Sequence, residues 1–479
     1  MKHLAGMRFI CAGFVPVALA WCALGAAPDA LPAGAASDEL QAGAAARDIT
    51  PPVGYRMSGY FSERLATGVR DPLFAKALVL RQGESAVALV CCDLIGMPRT
   101  VSDAARRRAA EATGIPFENI AVCCTHSHTG PLYAGVLRDW FHEQAVRREG
   151  RDAAESVDYP SLLVEQIAAA VGEAHASLAP ARLACGVVDQ QPQLSFNRRF
   201  HMKDGSVRFN PGQRNPDIVR PAGPIDPEVG VVLAQPAAGG RPRAVLTVFA
   251  MHLDTLGGTL YSADYPHHLE QALRQSWGES LLSLFGAGTC GDINHIDVTR
   301  QDRRTTEEIG RLLAASVLRA AESASEVQPS LAARSKTVTV PLQTYTPEEL
   351  QWAKQSMPLV GTRELEFLEQ VRACKVLALA AYSGGSVELE VQAIRLGDDL
   401  ALVTLPGEVL VELGLAIKRA SPFARTLVIE LANHNPAYVP TRKAFAEGSY
   451  ETVNSVIAPG GGELLVEAAL ELLEQLRPR

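Results

Sequence analysis

Residues 125–131 read Thr-His-Ser-His-Thr-Gly-Pro and set two imidazoles, His126 and His128, two positions apart. They follow the apolar run Ile120-Ala121-Val122-Cys123-Cys124, which reads as a buried strand. On an extended backbone, residues i and i+2 point to the same side. Gly130-Pro131 then stops the strand. Two histidines aimed at one spot from a strand end can begin a zinc site, which needs further ligands. The competing reading is an ordinary satisfied histidine pair in a loop. His252 and Glu408 are the further candidates. With His126 they make two imidazoles and a carboxylate, a ligand type of catalytic zinc sites. Such a metal activates water and polarises a carbonyl. His252 also reads as a core or capping histidine, and Glu408 as an acid favoured by a helix N-terminus.

These residues must be delivered by something. Residues 44–52 read as a strand entering a Pro-Pro turn, and residues 75–81 and 86–92 as a hairpin around Gln82-Gly83-Glu84-Ser85. Helical patterns cover residues 101–113, 161–178, 265–277, 305–324, 346–357, 408–421 and 463–476. Further strand-like runs cover 182–188, 244–251, 281–287, 393–405 (two strands) and 426–431. Residues 138–158 are charged and expected to be a solvated excursion; 196–210 are expected to be an irregular basic loop. Strands alternating with helices, with hairpins added, predict an α/β fold of mixed β-sheets layered with α-helices. Ligands in such folds sit at the carboxyl ends of strands. His126 and His128, His252, Asp292 with Asn294, and Glu408 each follow an apolar run, so they are aimed at one crevice.

The 479 residues carry 47% hydrophobic and 20% charged residues, the balance of a soluble globular enzyme. A net charge of −8 and the lack of a basic block argue against nucleic acid as a partner. Residues 1–36 are set apart. Lys2, His3 and Arg8 precede an apolar run over 9–27 and then small residues, the pattern of a secretory signal peptide and leader. An uncleaved N-terminal membrane anchor is the runner-up. The mature domain, residues 37–479, is therefore expected outside the cytoplasm, periplasmic or secreted. Of nine cysteines, Cys11 and Cys22 fall in the leader, and the odd seven that remain argue against a disulfide framework. They read as small buried hydrophobes.

From about residue 44 onward, several segments taken in order resemble the N-terminal catalytic domain of the neutral/alkaline non-lysosomal ceramidases. They are Asp48-Ile49-Thr50-Pro51-Pro52, residues 125–131, Asn197-Arg198, the surroundings of His252, Gly291-Asp292, Leu405-Pro406-Gly407-Glu408 and residues 438–450. The family form of the histidine motif is Thr-His-Thr-His-Ser-Gly-Pro. The resemblance implies a ceramidase-like zinc hydrolase domain with one zinc held by His126, His252, Glu408 and Tyr438. It implies that His128 lies beside the reacting carbonyl and that Arg198 and Tyr450 contact substrate. On residue type alone, Arg198 reads as one of a solvated basic pair and Tyr438 as an ordinary loop aromatic.

Two departures stand out. The family carries Gly-Asp-Val-Ser-Pro-Asn with a catalytic serine, whereas this chain has Gly291-Asp292-Ile293-Asn294-His295-Ile296. An amide cannot be that nucleophile, although Asn294 can donate to a developing oxyanion. Zinc-bound water is then the expected nucleophile, with His128, or less securely His295, moving the proton. The family also continues into a β-sandwich domain, for which the residues here leave no room. The expected reaction is hydrolysis of a lipid-like or other N-acyl amide, ceramide being the substrate that the resemblance implies; contact with a membrane surface stays open. A related metal-dependent hydrolase of a different amide or ester, and a non-catalytic metal-containing binding protein, are the alternatives.

Overall fold

A computed structural model describes residues 38–478; the leader assigned to residues 1–36 lies outside them. The longer strands form two sheets with a shared core. In chain order the longer ones are β1 (Gln41–Asp48), β2 (Phe74–Gln82), β3 (Ser85–Cys92), β4 (Ile120–Cys124), β5 (Ala179–Asp189), β6 (Glu228–Pro236), β7 (Ala244–Phe249), β8 (Leu282–Ala287), β9 (Pro329–Pro341), β10 (Ser386–Gly397), β11 (Leu400–Thr404) and β12 (Arg425–Ile429). The first sheet runs β8-β7-β6-β5-β1-β2-β3-β4, and Ser325–Val327 also pairs with β5. Only its two ends are parallel, β7 with β8 and β3 with β4. The second sheet runs β9-β10-β11-β12, with β11 and β12 parallel.

Side-chain alternation assigns the faces. Leu78, Leu80, Val87 and Leu89 face inward with Leu246 and Leu284, against Ile394, Leu396, Leu402 and Leu427 of the second sheet. Ala77, Val79, Ala88 and Val90 point the other way and pack on helices α1 (Arg99–Thr113) and α3 (Tyr159–Ala176). The β6–β8 half of that outer face is covered by α4 (Tyr265–Trp277) and α5 (Thr306–Glu322). The far face of the second sheet, with Leu389, Val391 and Val403, meets α8 (Val411–Ala420) and α9 (Gly461–Leu476). The result is a four-layer helix–sheet–sheet–helix stack, the mixed α/β architecture that the alternation of elements predicts.

Several local expectations change. Residues 138–158 are not a loop: Val136–Glu149 forms helix α2. It has charged residues on nearly every side and a single buried residue, Ala145, so no apolar period announced it. Residues 196–210 hold three short strands, Phe196–Asn197, Arg199–Met202 and Val207–Phe209. Residues 408–421 do not begin as a helix; Glu408–Val409 is a two-residue strand and α8 comes after it. Helices α6 (Pro347–Ser356) and α7 (Phe367–Ala381) pack together beside α2. All seven cysteines of the described residues are buried and unpaired. No helix among those residues is long and apolar enough to cross a membrane.

One contact between the start of α1 and the loop after β12 titrates. The N-cap of α1 is Pro98, which offers no side-chain acceptor. The N–H of Arg99 donates instead to His434 Nδ1 at 3.2 Å, satisfying one of the orphan donors of the helix start. Burial, then the Arg99 charge, pushes His434 down to about 4. An unfolded histidine titrates near ~6.5. Between the two values the unfolded chain binds more protons than the folded one, so stability falls as pH drops through that window and the loss saturates below it. In urea unfolding across pH 4 to 7, His434→Gln is expected to have a shallower pH dependence than the wild type.

Candidate metal centre

The parallel strand pairs end at the same side of the stack, and the turns beyond those ends build the site. β4 leads into His126 and His128, β7 into His252, β8 into Asp292 and Asn294, and β11 into Glu408. The extended backbone expected for the histidine pair is absent. His126 has φ +78°, a left-handed conformation that is costly for a residue with a Cβ. Its N–H donates to Leu94 O at 2.9 Å and its Nδ1–H to Ile95 O at 2.7 Å, which hold it there. The turn therefore aims the two rings, and they meet nearly edge to face with centroids 4.8 Å apart.

A carbonyl oxygen can only accept, so the proton of His126 sits on Nδ1. His252 is fixed in the same way, its Nδ1–H donating to Cys290 O at 2.8 Å. Both Nε2 lone pairs then face inward, 3.1 Å from each other. Arg198 Nη1 donates to His252 Nε2 at 3.2 Å, as an unprotonated nitrogen requires. Glu408 Oε2 lies 3.3 Å from His126 Nε2 and 3.6 Å from His252 Nε2. That oxygen is buried with no hydrogen-bond partner. Burial opposes its ionisation, but the two imidazoles outweigh this and hold Glu408 well below the usual carboxylate range. Burial, then Arg198 and His126, pushes His252 down to about 3, so the ring is neutral. Two inward imidazole nitrogens and a buried, unpartnered carboxylate oxygen form a convergent set of three candidate ligand atoms. Such a set fits a divalent cation of zinc type.

Tyr438 comes to the same place through the backbone. Glu408–Val409 pairs in parallel with Tyr438–Val439, and Glu408 stands opposite Tyr438 in the register. Burial pushes the Tyr438 hydroxyl well up, against the pull of Arg198. Glu430 locks this corner. Its Oε2 accepts from Val409 N at 2.6 Å and its Oε1 from Cys290 Sγ at 3.0 Å. One buried acid thus joins the strand carrying Glu408 to the residue whose carbonyl orients His252.

Arg198 is not a solvated cation. It and Arg199 are both buried and share Glu451, which is fully buried: Arg198 Nε donates to Oε1 at 2.9 Å and Arg199 Nη1 to Oε2 at 2.8 Å. Arg198 Nη2 also donates to Gly291 O at 2.7 Å and to Tyr438 Oη at 2.9 Å. Two adjacent arginines that both turn inward need a shared acid, and no local pattern singled out Glu451. Tyr450 packs against Tyr438, with centroids 5.3 Å apart, and stacks on Phe209 at 4.6 Å. Asn294 is buried; its Nδ2 donates to Asn210 Oδ1 at 2.9 Å and its Oδ1 accepts from Ile296 N at 3.0 Å. No hydrogen bond links it to the histidines. Asp292 buttresses the corner by accepting from Asn197 Nδ2 at 2.8 Å and Val411 N at 2.9 Å.

His128 also points into the cluster, with Nε2 3.2 Å from His126 Nε2. The three imidazoles alone satisfy the geometry of a metal-holding group. A second such group, His142, Asp152 and Glu155, is already neutralised by Arg56 and Arg138.

Residues 40–264 match the family model described as neutral/alkaline non-lysosomal ceramidase, N-terminal. Over these residues the chain is similar to that family. The match holds His126, His128, Arg198 and His252 and stops before Asn294, Glu408, Tyr438 and Tyr450. For the second half the likeness is one of fold. A solved neutral ceramidase from Pseudomonas aeruginosa superposes with a TM-score of 0.69 at 21% identity, over 92% of this chain and 75% of that one. A ceramidase complexed with C2 gives 0.68 at 19% identity over the same shares. Comparison with curated proteins gives no match.

His126→Ala and Glu408→Gln are each expected to lose bound zinc, while His128→Ala keeps it at full stoichiometry, as read by metal analysis after dialysis. Glu451→Gln removes the carboxylate shared by two buried guanidiniums and leaves Glu447, which reaches Arg199 alone. Its expected cost is about 3 kcal/mol or more in urea unfolding, the scale for breaking a buried ion pair.

Proposed function

We propose that this chain is a zinc-dependent hydrolase of N-acyl amides, acting outside the cytoplasm, with ceramide as the substrate class. The observation that carries this reading is the trio of His126 Nε2, His252 Nε2 and Glu408 Oε2, buried ligand atoms facing one another within 3.6 Å. Tyr438, opposite Glu408 in the register, supplies the fourth ligand. Bound there, zinc would lower the pKa of water and polarise a carbonyl. The family match over residues 40–264 supports amide hydrolysis as the chemistry.

The chain's own groups take the remaining tasks. Burial, then His126, holds His128 well below the usual histidine range, so it is neutral and able to accept a proton. It takes the proton of the attacking water and passes it to the departing amine nitrogen. Water adds to the carbonyl carbon, the C–N bond breaks, and amine and carboxylic acid leave. Of the five N–H groups of a guanidinium, four on Arg198 are engaged by Glu451, His252, Gly291 and Tyr438. The fifth, on Nη1, is left for a substrate oxygen. Tyr450, stacked on Phe209, offers an apolar wall for an acyl or alkyl chain. One Nδ2 hydrogen of Asn294 remains for the oxyanion, because Asn210 takes the other.

Asn294 in place of a serine favours two rivals, hydrolysis of a different amide or ester and metal binding without turnover. A panel of N-acyl amides and esters, assayed on zinc-loaded protein with products identified by mass spectrometry, separates them. Release of fatty acid from ceramide supports the proposal; turnover confined to other members redirects it, and bound zinc with no turnover refutes it. Asn294→Ser is expected to raise ceramide turnover if the amide limits the reaction.

A further inference from the structure

The three imidazoles of the cluster differ at the nitrogen that faces away from it. The outer nitrogens of His126 and His252 each donate to a main-chain carbonyl, Ile95 O and Cys290 O. The outer nitrogen of His128, Nδ1, is buried and has no hydrogen-bond partner. A carboxylate faces it: Asp254 Oδ1 lies 3.8 Å away. A carbonyl partner suits a neutral ring that stays a ligand. A carboxylate partner suits a ring that must accept a proton and give it up, because it stabilises the imidazolium that forms in between.

We propose that Asp254 is a positioning residue for His128, holding its proton on Nδ1 so that Nε2 is presented to the reacting bond. The proposal rests on the reading of the site as an amide hydrolase. At 3.8 Å the pair is longer than a hydrogen bond, as such pairs often are before substrate tightens them. The Asp254 side chain is 40% exposed and able to turn. Tyr60 keeps it near by donating from its hydroxyl to Asp254 Oδ1 at 2.9 Å. The backbone is already clamped. His128 N–H donates to Leu253 O, the carbonyl next to Asp254, at 3.2 Å, and Arg64 Nη2 donates to His128 O at 2.9 Å. Arg64 also lies over the Tyr60 ring, 4.2 Å from its centroid. Gly59 permits the approach: a Cβ there would stand 2.4 Å from His128 O. The ring is thus caged, with one side chain of the cage, Asp254, acidic and adjustable.

Two other groups compete for the same role. The Gly59 carbonyl also acts on His128 and would hold the ring without supplying charge. His295, whose Nδ1 is likewise buried and unpartnered, is a second histidine within the influence of Asp254, whose charge favours its protonated form. The test compares wild type, Asp254→Asn, Asp254→Glu and Tyr60→Phe, all zinc-loaded, by nitrogen-15 histidine spectra and steady-state kinetics on an N-acyl amide. In the wild type His128 is expected to carry its proton on Nδ1. Asp254→Asn should move that proton toward Nε2 and lower kcat about 100-fold, the scale of general acid–base catalysis, with KM and zinc content unchanged. Asp254→Glu should recover part of kcat, and Tyr60→Phe should give a smaller loss than Asp254→Asn. A His128 tautomer unmoved by Asp254→Asn assigns the ring to Gly59 and overturns the proposal, as does a shift at His295 alone or an unchanged kcat. If the wild type hydrolyses no amide, the functional reading falls, and the His128 spectra still decide what Asp254 does.

Discussion

Two main-chain carbonyls govern the site. Ile95 O and Cys290 O each take a proton from the outside of a ring, and this forces the lone pairs of His126 and His252 toward each other. Inward lone pairs 3.1 Å apart repel unless a positive charge comes between them. The nearest positive group in the protein itself is the Arg198 guanidinium, which reaches His252 Nε2. Much of the neighbourhood serves to hold that unfavourable convergence in place. His126 keeps a left-handed backbone, Glu430 ties Cys290 to Val409, and Glu451 anchors Arg198 from behind. Local strain of this kind persists where the surrounding structure over-determines it.

The architecture makes the convergence affordable. Parallel pairs at both ends of the first sheet and at the edge of the second bring strand ends to one side, where turns replace ladder hydrogen bonds. The turns supply carbonyls that need donors, and the histidines provide them. Two inner faces packed sheet on sheet, with a helical layer outside each, leave little freedom for the loops to drift. The two-residue ladder between Glu408 and Tyr438 is short, yet it sets a carboxylate and a phenol side by side with no long side-chain reach.

Much of this was legible in the residues. Periodicity located β4, β7, β8 and β11 because their cores are continuous apolar runs, and a polar residue just past each run marked the crevice. The pairing of His126 with His252 and Glu408 comes from that rule. Tyr438 did not, because its strand is two residues long and lies amid Asn, Pro and Ala with no apolar period. Family resemblance supplied it. Helix α2 escaped because its faces are charged all round. The buried state of Arg198 and Arg199 escaped because their acid lies some 250 residues away in the chain. Asp254 escaped for another reason: only the orientation of three rings distinguishes it from any half-exposed acid.

The donors proposed for this centre come from positions 126, 252, 408 and 438, so they are spread over most of the described chain. No contiguous stretch holds more than one of them, and neither sheet supplies all four. The proposed cation pocket therefore exists only once the first sheet has closed and the second has docked on it, and contacts of such long sequence separation are slow to form. On the proposed reading, ion capture would be the last assembly step. It reports that the entire polypeptide is correctly arranged, and, because ligand binding stabilises only the form that binds, it latches that arrangement after the fact.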